Sequence, residues 1–514
     1  MSLDSFSVSR RTVLKGIAMG AVACETSSLA TSASPLPSRA IKLPRATPES
    51  QGVASEGVRA FVEGVEKRVG GLHSFMLLRH GQVVAEAWWT PYAPQHPHML
   101  FSLSKSFTST AVGLAISDGI LSVEAPVTAF YRKDLPAKVS DNLAAMRVKH
   151  LLTMNTGHDK DATGGAVSNP EGNWIKGFFS LPVEHEPGSK FVYNSAATYM
   201  LSAIVQKVTG RTVLDYLTPR LFNPLGIEGQ TWETCPKGIN TGGWGLKVKT
   251  EDIARFGQLY LQKGQWQGKQ LVPANWVAQA TSKVVTNGDP ATGSDWNQGY
   301  GYQFWQCLHG AYRGDGAFGQ YCIVMPELDA VLAITSGVGD MQAVLTQVWE
   351  HLLPAMQPSA LPSNEAEGTL KRQLASLSVR PPEGKVTSPT AKRVSGKTYR
   401  FEANDQKIQS LTLRVDGKHT TLTVHDEGGE HSLLCGNGSW VKSTISLHTE
   451  PAQKSALWGA WTDENTFTVH NCLYETPFLS TIVCTFAGEQ VTLSSSMNVG
   501  FGQTKQVPLV GRSG

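Results

Sequence analysis

Apolar residues recur with strand spacing near both ends of the first 356 residues. The runs 74–78 and 82–88 are short, mostly apolar and separated by a tight turn, so they predict a β-hairpin. Two further runs, 321–325 and 330–335, flank a proline-containing turn and predict a second antiparallel hairpin. We therefore expect strands at the two ends of this region, with other elements between them.

The intervening residues follow helical periodicity. Apolar positions spaced three and four apart predict a helix that begins near 102 and includes the apolar run 108–120, helices over 148–154, 196–208 and 250–262, and a closing helix over 341–353. Strands at both ends of a sequence with helices between them are typical of an α+β domain. We assign this domain to residues 41–356.

The remaining residues have a different pattern. Residues 357–392 are rich in proline, serine and charge and predict a linker, with one helical stretch at 369–377. From 393 to 514 helical periodicity nearly disappears. Short apolar runs such as 408–415 and 419–425 are separated by Gly, Asn and Asp turns, which predicts a small all-β domain, a barrel or a sandwich.

Composition is that of a soluble globular protein and gives no reason to expect a nucleic-acid or membrane partner. Of the 514 residues 41% are hydrophobic and 17% charged, and the formal net charge is +3. No basic cluster interleaved with aromatic residues predicts nucleic-acid binding, and no apolar run after the leader is long enough to span a membrane. We expect a small-molecule substrate as the partner. The sequence leaves the oligomeric state open.

The amino terminus has the pattern of an export signal. Residues 9–15 read Ser-Arg-Arg-Thr-Val-Leu-Lys and precede a mildly apolar, Gly- and Ala-rich stretch at 16–23. This pattern predicts a twin-arginine signal peptide over residues 1–33 and a periplasmic or secreted protein. Cys24 allows a lipid anchor as a less favoured alternative, because Ala21 stands where a larger aliphatic residue is expected.

Seven cysteines, of which six follow the signal, show neither metal-ligand spacing nor a C-x-x-C pair. We therefore expect no metal and no other cofactor. Cys472 and Cys484 are spaced so that they could meet across a hairpin and form a disulfide, although buried free thiols are the favoured interpretation for most of the six.

The main candidate for chemistry is Ser102, which lies three residues before Lys105 at the predicted start of a buried helix. Residues at i and i+3 share a helical face, so the lysine amine can reach the serine hydroxyl. A partly desolvated lysine can serve as the base that activates serine as a nucleophile. A helix start also presents free N–H groups to an oxyanion. Alone, the pattern equally describes a capped helix with a solvated lysine.

Two further segments change that balance. Tyr193, in Phe191-Val192-Tyr193-Asn194-Ser195, precedes a predicted helix and so occupies a fixed junction. The glycine-rich segment 313–320 ends a strand just before the second hairpin. Each alone would be a core tyrosine or a tight turn. The order and separation of the three segments favour a site.

In these segments the chain resembles the serine β-lactamase-like superfamily over about residues 45–355. That group includes class C β-lactamases, D-alanyl-D-alanine carboxypeptidases, carboxylesterases, D-aminopeptidases and aminohexanoate-oligomer hydrolases. Ser102-Leu103-Ser104-Lys105 matches its S-x-x-K motif and Tyr193-Asn194-Ser195 its tyrosine motif. The supporting segments are His150-Leu151-Leu152-Thr153-Met154-Asn155-Thr156-Gly157, Gly242-Gly243-Trp244-Gly245-Leu246 with Asp252, and Gly299-Tyr300-Gly301-Tyr302.

The resemblance implies an antiparallel sheet covered by helices, with the active serine between the sheet and an all-helical region. It implies that Ser102 is acylated and that Lys105 and Tyr193 exchange the protons. Either of the two could be the acylation base, because they would titrate as a coupled pair. It further implies an oxyanion hole made by the backbone N–H groups of Ser102 and Phe318.

Two departures from the family pattern concern substrate binding. Ser195 stands where class C enzymes have asparagine, and Asp315-Gly316-Ala317 stands where Lys-Thr-Gly or His-x-Gly is common. We expect Ser195, Asp315, Gly316 and Ala317 to line the substrate site. An aspartate at the cation position would repel a substrate carboxylate by roughly 1–4 kcal/mol, unless Arg313 turned inward to offset it.

The leading hypothesis is therefore a secreted serine hydrolase acting on neutral or cationic esters or amides. A β-lactamase or D-peptidase acting on cell-wall-type substrates is the alternative enzyme, favoured by the export signal and opposed by Asp315. A catalytically silent penicillin-binding-like protein is a third interpretation. The presence of Ser102, Lys105 and Tyr193 together opposes it.

Overall fold

Residues 42–446 and 451–514 are described by the structure, a computed structural model. The predicted signal peptide and Cys24 lie outside these residues. Within them, no helix is both long enough and apolar enough to cross a membrane.

The first region is built on a six-stranded antiparallel sheet. Its strands, in spatial order, are Gln82–Trp88, Leu72–Arg79, Ala330–Ser336, Gln320–Met325, Tyr312–Gly316 and Trp305–Gln306. Short pairings also join His98–Met99, Leu246–Val248 and Thr231–Trp232, and join Gln265–Trp266 to Lys269–Gln270.

Helices cover both faces of this sheet, and one further helix, Pro389–Val394, packs against the carboxy-terminal region instead. The α-helices are Ser55–Gly64, Ser104–Ser117, Asp141–Ala145, Val148–Leu152, Thr163–Val167, Trp174–Ser180, Ser195–Thr209, Val213–Leu217, Asn223–Leu225, Thr250–Leu261, Ala274–Ala280, Met341–Gln347, Leu353–Ala355, Glu365–Ala375 and Pro389–Val394. Wider π-type turns occupy Val65–Val69, Thr218–Phe222 and Val348–Leu352. The predicted helix 341–353 is therefore interrupted at Val348.

The strand Leu72–Arg79 shows why the sheet is covered on both sides. All eight of its residues are buried, and successive side chains point to opposite faces. Met76 and Leu78 pack with the helical region, whereas Phe75 and Leu77 pack with the terminal helices. Each fully buried side chain of this size contributes about 1.5–3 kcal/mol.

The helix Ser104–Ser117 is buried almost all round, with twelve of its fourteen residues inaccessible. Apart from Ser109, its buried polar side chains are paired inside the protein: Ser106 Oγ donates to Gln303 O at 2.9 Å, and Thr108 Oγ1 to Gly242 O at 2.9 Å. These bonds tie the helix to the segments on either side of it, because an unpaired buried hydroxyl would be costly. The helix start is therefore fixed in position.

The second region is a closed β-barrel of ten strands. In order they are Gly429–Asn437, His419–Asp426, Ser410–Asp416, Thr398–Phe401, Leu509–Ser513, Gln490–Met497, Leu479–Ala487, Thr466–Cys472, Gln453–Asp463 and Val441–Ile445. Parallel pairing of Gly436 with Trp458 and of Asn437 with Gly459 closes the sheet. Alternate residues such as Leu411 and Leu413 fill the interior. The predicted α+β fold with a small all-β domain is confirmed, and the all-β part is a barrel.

The segment between the two regions is packed against both of them. Leu370, in the helix Glu365–Ala375, is buried in the core of the first region. Further along, the backbone of Lys385 exchanges two hydrogen bonds with the backbone of Trp461, which lies in a barrel strand.

The possible disulfide between Cys472 and Cys484 is not formed, and the favoured interpretation of buried free thiols is confirmed for the described cysteines. Their strands are neighbours, but Cys472 lies opposite Leu479 and Cys484 lies opposite Phe467. The two cysteines are therefore at opposite ends of the pairing, and all six cysteines of the described residues are buried free thiols.

Candidate active site

Ser102 lies in a short 3₁₀ turn, Phe101–Leu103, that continues into the helix Ser104–Ser117. The preceding residue, Phe101, has a φ of 48°, which a non-glycine residue adopts only under constraint. On its other side Ser102 faces the strand Tyr312–Gly316. A Cβ on Gly316 would lie 2.0 Å from Leu100 O and 3.0 Å from Ser102 N, so only glycine allows this approach.

Lys105 is buried, and its amine has three partners. Nζ lies 2.8 Å from Ser102 Oγ, 3.0 Å from Ser195 Oγ and 2.8 Å from Gly243 O. Burial lowers the pKa of Lys105 to about 7, although the carboxylates of Asp161 and Asp315 partly oppose that shift.

These three contacts define what the amine can do. A neutral lysine has two N–H donors and one lone pair. The Gly243 carbonyl can only accept, and Ser195 Oγ can accept the second N–H, so the lone pair faces Ser102 Oγ. The neutral amine is thus placed to receive the Ser102 proton.

Gly243 itself must be glycine for this arrangement. A Cβ at that position would lie 2.8 Å from Ser195 O and 3.6 Å from Lys105 Nζ. The Gly242-Gly243 segment thereby brings a backbone carbonyl to the amine. In the sequence, this segment was marked only by the resemblance of residues 242–246 to the family pattern.

Tyr193 lies beside the same amine, with Lys105 Nζ 4.9 Å from the centre of its ring. Burial, with a smaller contribution from the Asp315 charge, raises the pKa of Tyr193 well above its ordinary value, and a hydrogen bond with Ser102 opposes the shift. The phenol is therefore neutral near pH 7 and can donate a proton. Asn194 holds the junction by capping the helix Ser195–Thr209, with its side chain accepting from Ala197 N.

The two backbone amides expected to form the oxyanion hole belong to two constrained turns, and their joint role stays a prediction. Ser102 lies in the first turn of a helical segment, whose N–H groups have no intrahelical partner. Phe318, at the tip of the hairpin after Tyr312–Gly316, has a φ of 67°, and its carbonyl accepts from Val338 N at 3.0 Å. That bond and a second one from Ser336 Oγ at 2.8 Å fix the carbonyl in position.

Ser195 has a contact that the sequence did not predict, and Asp315 has the Arg313 partner that the sequence left open. Ser195 Oγ is bound to Lys105, so its observed contact is with the amine, whereas its predicted contact with substrate stays a prediction. The side chain of Asp315 is only 5% exposed and pairs with the fully buried Arg313, Nε to Oδ2 at 2.8 Å. Because the neighbouring cation offsets this carboxylate, the expected direct repulsion of anionic substrates is largely removed. Gly316 and Ala317 complete the turn beside Ser102.

The supporting segments surround this centre. Gln303 joins two of them, because its Nε2 donates to Leu151 O and Leu152 O while its Oε1 accepts from Thr198. Asp252 instead caps the helix Thr250–Leu261 and pairs with the buried Arg255 at 2.9 Å, which is a structural role. Within residues 42–446 and 451–514, no group of three or more His, Cys, Asp or Glu side chains is placed to hold a metal.

Two separate groups of aromatic rings lie near Ser102. The tyrosine wall comprises Phe191, Tyr193, Trp296, Tyr300 and Trp305, in which Tyr193 stacks on Trp305 at 5.5 Å. The phenylalanine wall comprises Phe101, Phe318, Phe478 and Phe501. The first wall comes from one region only, whereas the second includes two residues of the barrel.

Sequence reasoning missed Asp161 and the two barrel phenylalanines. Asp161 Oδ1 accepts from Thr163 Oγ1 at 2.6 Å, and that hydroxyl accepts from Ala196 N, next to Ser195. The Asp-x-Thr spacing is a turn signal that does not reveal this location. Phe478 and Phe501 come from loops with no motif.

Comparison with known proteins agrees with this geometry. The family model described as Beta-lactamase matches residues 58–345. A 6-aminohexanoate-dimer hydrolase of Paenarthrobacter ureafaciens is 26% identical over 330 residues, which are 60% of this chain and 83% of that protein. A beta-lactamase of Escherichia coli K12 is 23% identical over 226 residues, or 40% of this chain and 58% of that protein.

A solved structure also shares the fold. It is provisionally assigned as a 6-aminohexanoate-dimer hydrolase from Bacillus anthracis and is 20% identical, with a TM-score of 0.50. The match covers 64% of this chain and 90% of the other.

Proposed function

The chain belongs to the Beta-lactamase family, whose model matches more than half of its 514 residues, and from that premise we propose that it is a serine hydrolase cleaving an ester or amide through an acyl-enzyme on Ser102. The observation that carries this proposal is the 2.8 Å contact between Lys105 Nζ and Ser102 Oγ, with the other contacts of the amine already made. The hydrolases among its relatives support the same class.

Acylation begins with neutral Lys105. Its lone pair takes the hydroxyl proton as Ser102 Oγ bonds to the carbonyl carbon, and the carbonyl oxygen becomes an oxyanion held by the N–H groups of Ser102 and Phe318. As the carbonyl re-forms, the bond to the leaving group breaks. The leaving group takes the phenol proton of Tyr193, and the Lys105 ammonium returns a proton to Tyr193.

Deacylation repeats this proton path with water. The water oxygen bonds to the acyl carbon while one of its protons passes to Lys105. When the second intermediate collapses, the Ser102–acyl bond breaks, Ser102 recovers its proton from Lys105, and a carboxylic acid is released.

A fluorophosphonate probe tests the nucleophile directly, with intact mass as the measurement. The wild type should gain one label and Ser102→Ala none. Ser104→Ala is the matched control, because its hydroxyl accepts a bond from Leu246 N, away from the amine. Labelling that persists in Ser102→Ala, or that maps to Ser104 or Ser106, would overturn the assignment.

A β-lactamase or D-peptidase is the second candidate, and the buried Arg313–Asp315 pair is the observation that favours it. Because Arg313 offsets the aspartate, an anionic substrate is repelled less than the sequence suggested. Arg313 is itself fully buried, however, and offers no exposed cation to a substrate carboxylate. We therefore expect kcat/KM to be higher for short-acyl p-nitrophenyl esters than for a chromogenic cephalosporin. The opposite ranking would favour the second candidate.

We propose further that the protein is exported through the twin-arginine route to the periplasm or beyond. The Arg10-Arg11 pair and the following apolar stretch support this. Replacing both arginines by lysine should retain the protein in the cytoplasm. Unchanged export of that variant would contradict the proposal.

A further inference from the structure

The barrel supplies two of the four rings beside the proposed oxyanion hole. Phe478 lies between the strands Thr466–Cys472 and Leu479–Ala487, and Phe501 follows the strand Gln490–Met497. Phe501 lies 4.8 Å from the ring of Phe318 and 5.7 Å from that of Phe101. Phe478 lies 5.8 and 6.2 Å from the same two rings.

Hydrogen bonds to the first region hold the barrel loops in this position. Asn498 Nδ2 donates to Gly337 O at 3.0 Å and to Pro477 O at 2.9 Å, so it joins both loops to the end of the central sheet. The backbone of Met99, two residues before Phe101, donates to Glu475 O at 2.9 Å. The placement of the two phenylalanines therefore follows from specific contacts.

The backbone next to each oxyanion donor is constrained around a large apolar side chain. Phe101 and Phe318 have φ values of 48° and 67°, a region that favours glycine and strains other residues. Phe501 leaves 46% of its surface exposed at the rim of the same cluster. An exposed phenyl ring beside a reactive serine offers apolar area that a substrate can cover.

The position of the leaving group decides which part of the substrate covers this apolar surface. In the proposed mechanism the leaving group takes a proton from Tyr193, so it lies at the tyrosine wall. The phenylalanine wall adjoins both oxyanion donors instead. Across the described residues, the ring contacts of Phe101, Phe318, Phe478 and Phe501 do not extend to the tyrosine wall.

We propose that the phenylalanine wall is the acyl-group subsite, and that Phe478 and Phe501 of the barrel select esters or amides of apolar carboxylic acids with alkyl or aryl groups. The barrel is then part of the substrate site. This inference rests on the proposed acyl-enzyme mechanism.

A series of p-nitrophenyl esters that share one leaving group tests the subsite. Acetate, butyrate, hexanoate and benzoate esters are compared by kcat/KM in the wild type, Phe501→Ala and Phe478→Leu. Val510→Ala is the matched control, because Val510 is an exposed apolar barrel residue (53%) outside the cluster. Thermal midpoints verify that each variant is folded.

The wild type should prefer hexanoate or benzoate over acetate. Phe501→Ala should lower the hexanoate-to-acetate ratio about tenfold, the equivalent of about two buried CH₂ groups, and Phe478→Leu should lower it less. Val510→Ala should keep the wild-type ratio.

An unchanged ratio in both phenylalanine variants would overturn the inference while leaving the hydrolase intact. The inference would also be overturned if the phenylalanine variants changed the selectivity among acetate esters of different alcohols. That result would place the phenylalanine wall on the leaving-group side. If the wild type neither cleaves any ester nor accepts the fluorophosphonate label, the proposed function itself is wrong and the inference falls with it.

Discussion

The two aromatic walls near Ser102 are built differently. The tyrosine wall belongs to one region, and beside it the Lys105 amine has all three of its contacts inside the protein. The phenylalanine wall crosses the contact between two regions and leaves Phe501 half-exposed. Proton transfer needs fixed geometry, whereas substrate selection needs an accessible apolar surface. Under the proposals above, the barrel selects the acyl group and the first region carries the chemistry.

Changes on the tyrosine side should have the largest effects. Lys105→Ala removes the proposed base and Tyr193→Phe the proposed acid, so each should lower kcat/KM at least about a hundredfold, with p-nitrophenyl acetate as substrate. Lys207→Ala is the matched control, because Lys207 lies over Tyr131 at 5.7 Å, away from the serine. Wild-type turnover by Tyr193→Phe would remove that hydroxyl from the mechanism.

The buried ion pair behind this wall should matter chiefly for stability. Asp315→Asn leaves the fully buried Arg313 guanidinium without its carboxylate, which should lower the free energy of unfolding by about 3 kcal/mol. Denaturant titration measures the change. Asp159→Asn, which breaks the exposed pair with Lys190, should leave the midpoint nearly unchanged. Equal effects of the two variants would show that the Asp315 pair is not structurally important.

Local patterns were enough to predict most of the fold. The hairpins at 74–88 and 321–335 and the helix at 196–208 follow from apolar spacing and turn residues, and the structure has them at nearly the same positions. The interruption at Val348–Leu352 was not predicted, although Pro354 follows it and cannot donate the helical hydrogen bond to Glu350 O. Barrel closure was also not predictable, because it depends on pairing between Gly436 and Trp458 that no local pattern specifies.

The candidate site also has a part that the sequence predicts and a part that depends on packing. Ser102, Lys105 and Tyr193 have motif spacing, and the structure brings them together. The inward turn of Arg313 onto Asp315 and the new partner of Ser195 depend on side-chain packing, which the sequence left open. Phe478 and Phe501 reach the site only because the barrel packs on the first region, a long-range contact with no sequence signature.

The contact that positions the phenylalanine wall should weaken in acid. His98 Nδ1 must donate to Met99 O, so its Nε2 accepts from His73 Nδ1 at 3.0 Å. Burial lowers the pKa of His98 to about 4 and that of His73 well below its ordinary value. The folded state therefore binds fewer protons than the unfolded state between pH 6.5 and pH 4, and stability should fall as the pH falls through that window.

His98→Gln removes one of these titrating groups and should flatten the pH dependence, by up to about 3 kcal/mol across the window. Unfolding free energies at several pH values measure it. Tyr92→Phe is the control, because it removes the bond to Thr476 O at the same contact and keeps both histidines. An equally steep loss of stability in His98→Gln would exclude this histidine as the cause.

The smallest effect concerns the charge around the amine. Because the pKa of Lys105 is about 7, kcat/KM should rise with pH through that value as the amine becomes neutral, and then level off. Asp161 favours the ammonium form, so Asp161→Asn should move this rise to lower pH by less than one pH unit and raise the relative activity at pH 6. The maximal rate should change little, because Asp161 takes no part in proton transfer.

Asp134→Asn, at a carboxylate bound to Asn173, is the control and should keep the wild-type profile. A profile that rises only above pH 9 would show that Lys105 is charged at neutral pH and cannot be the base, whereas an unshifted rise in Asp161→Asn would show that this carboxylate is too well screened to influence the tyrosine side.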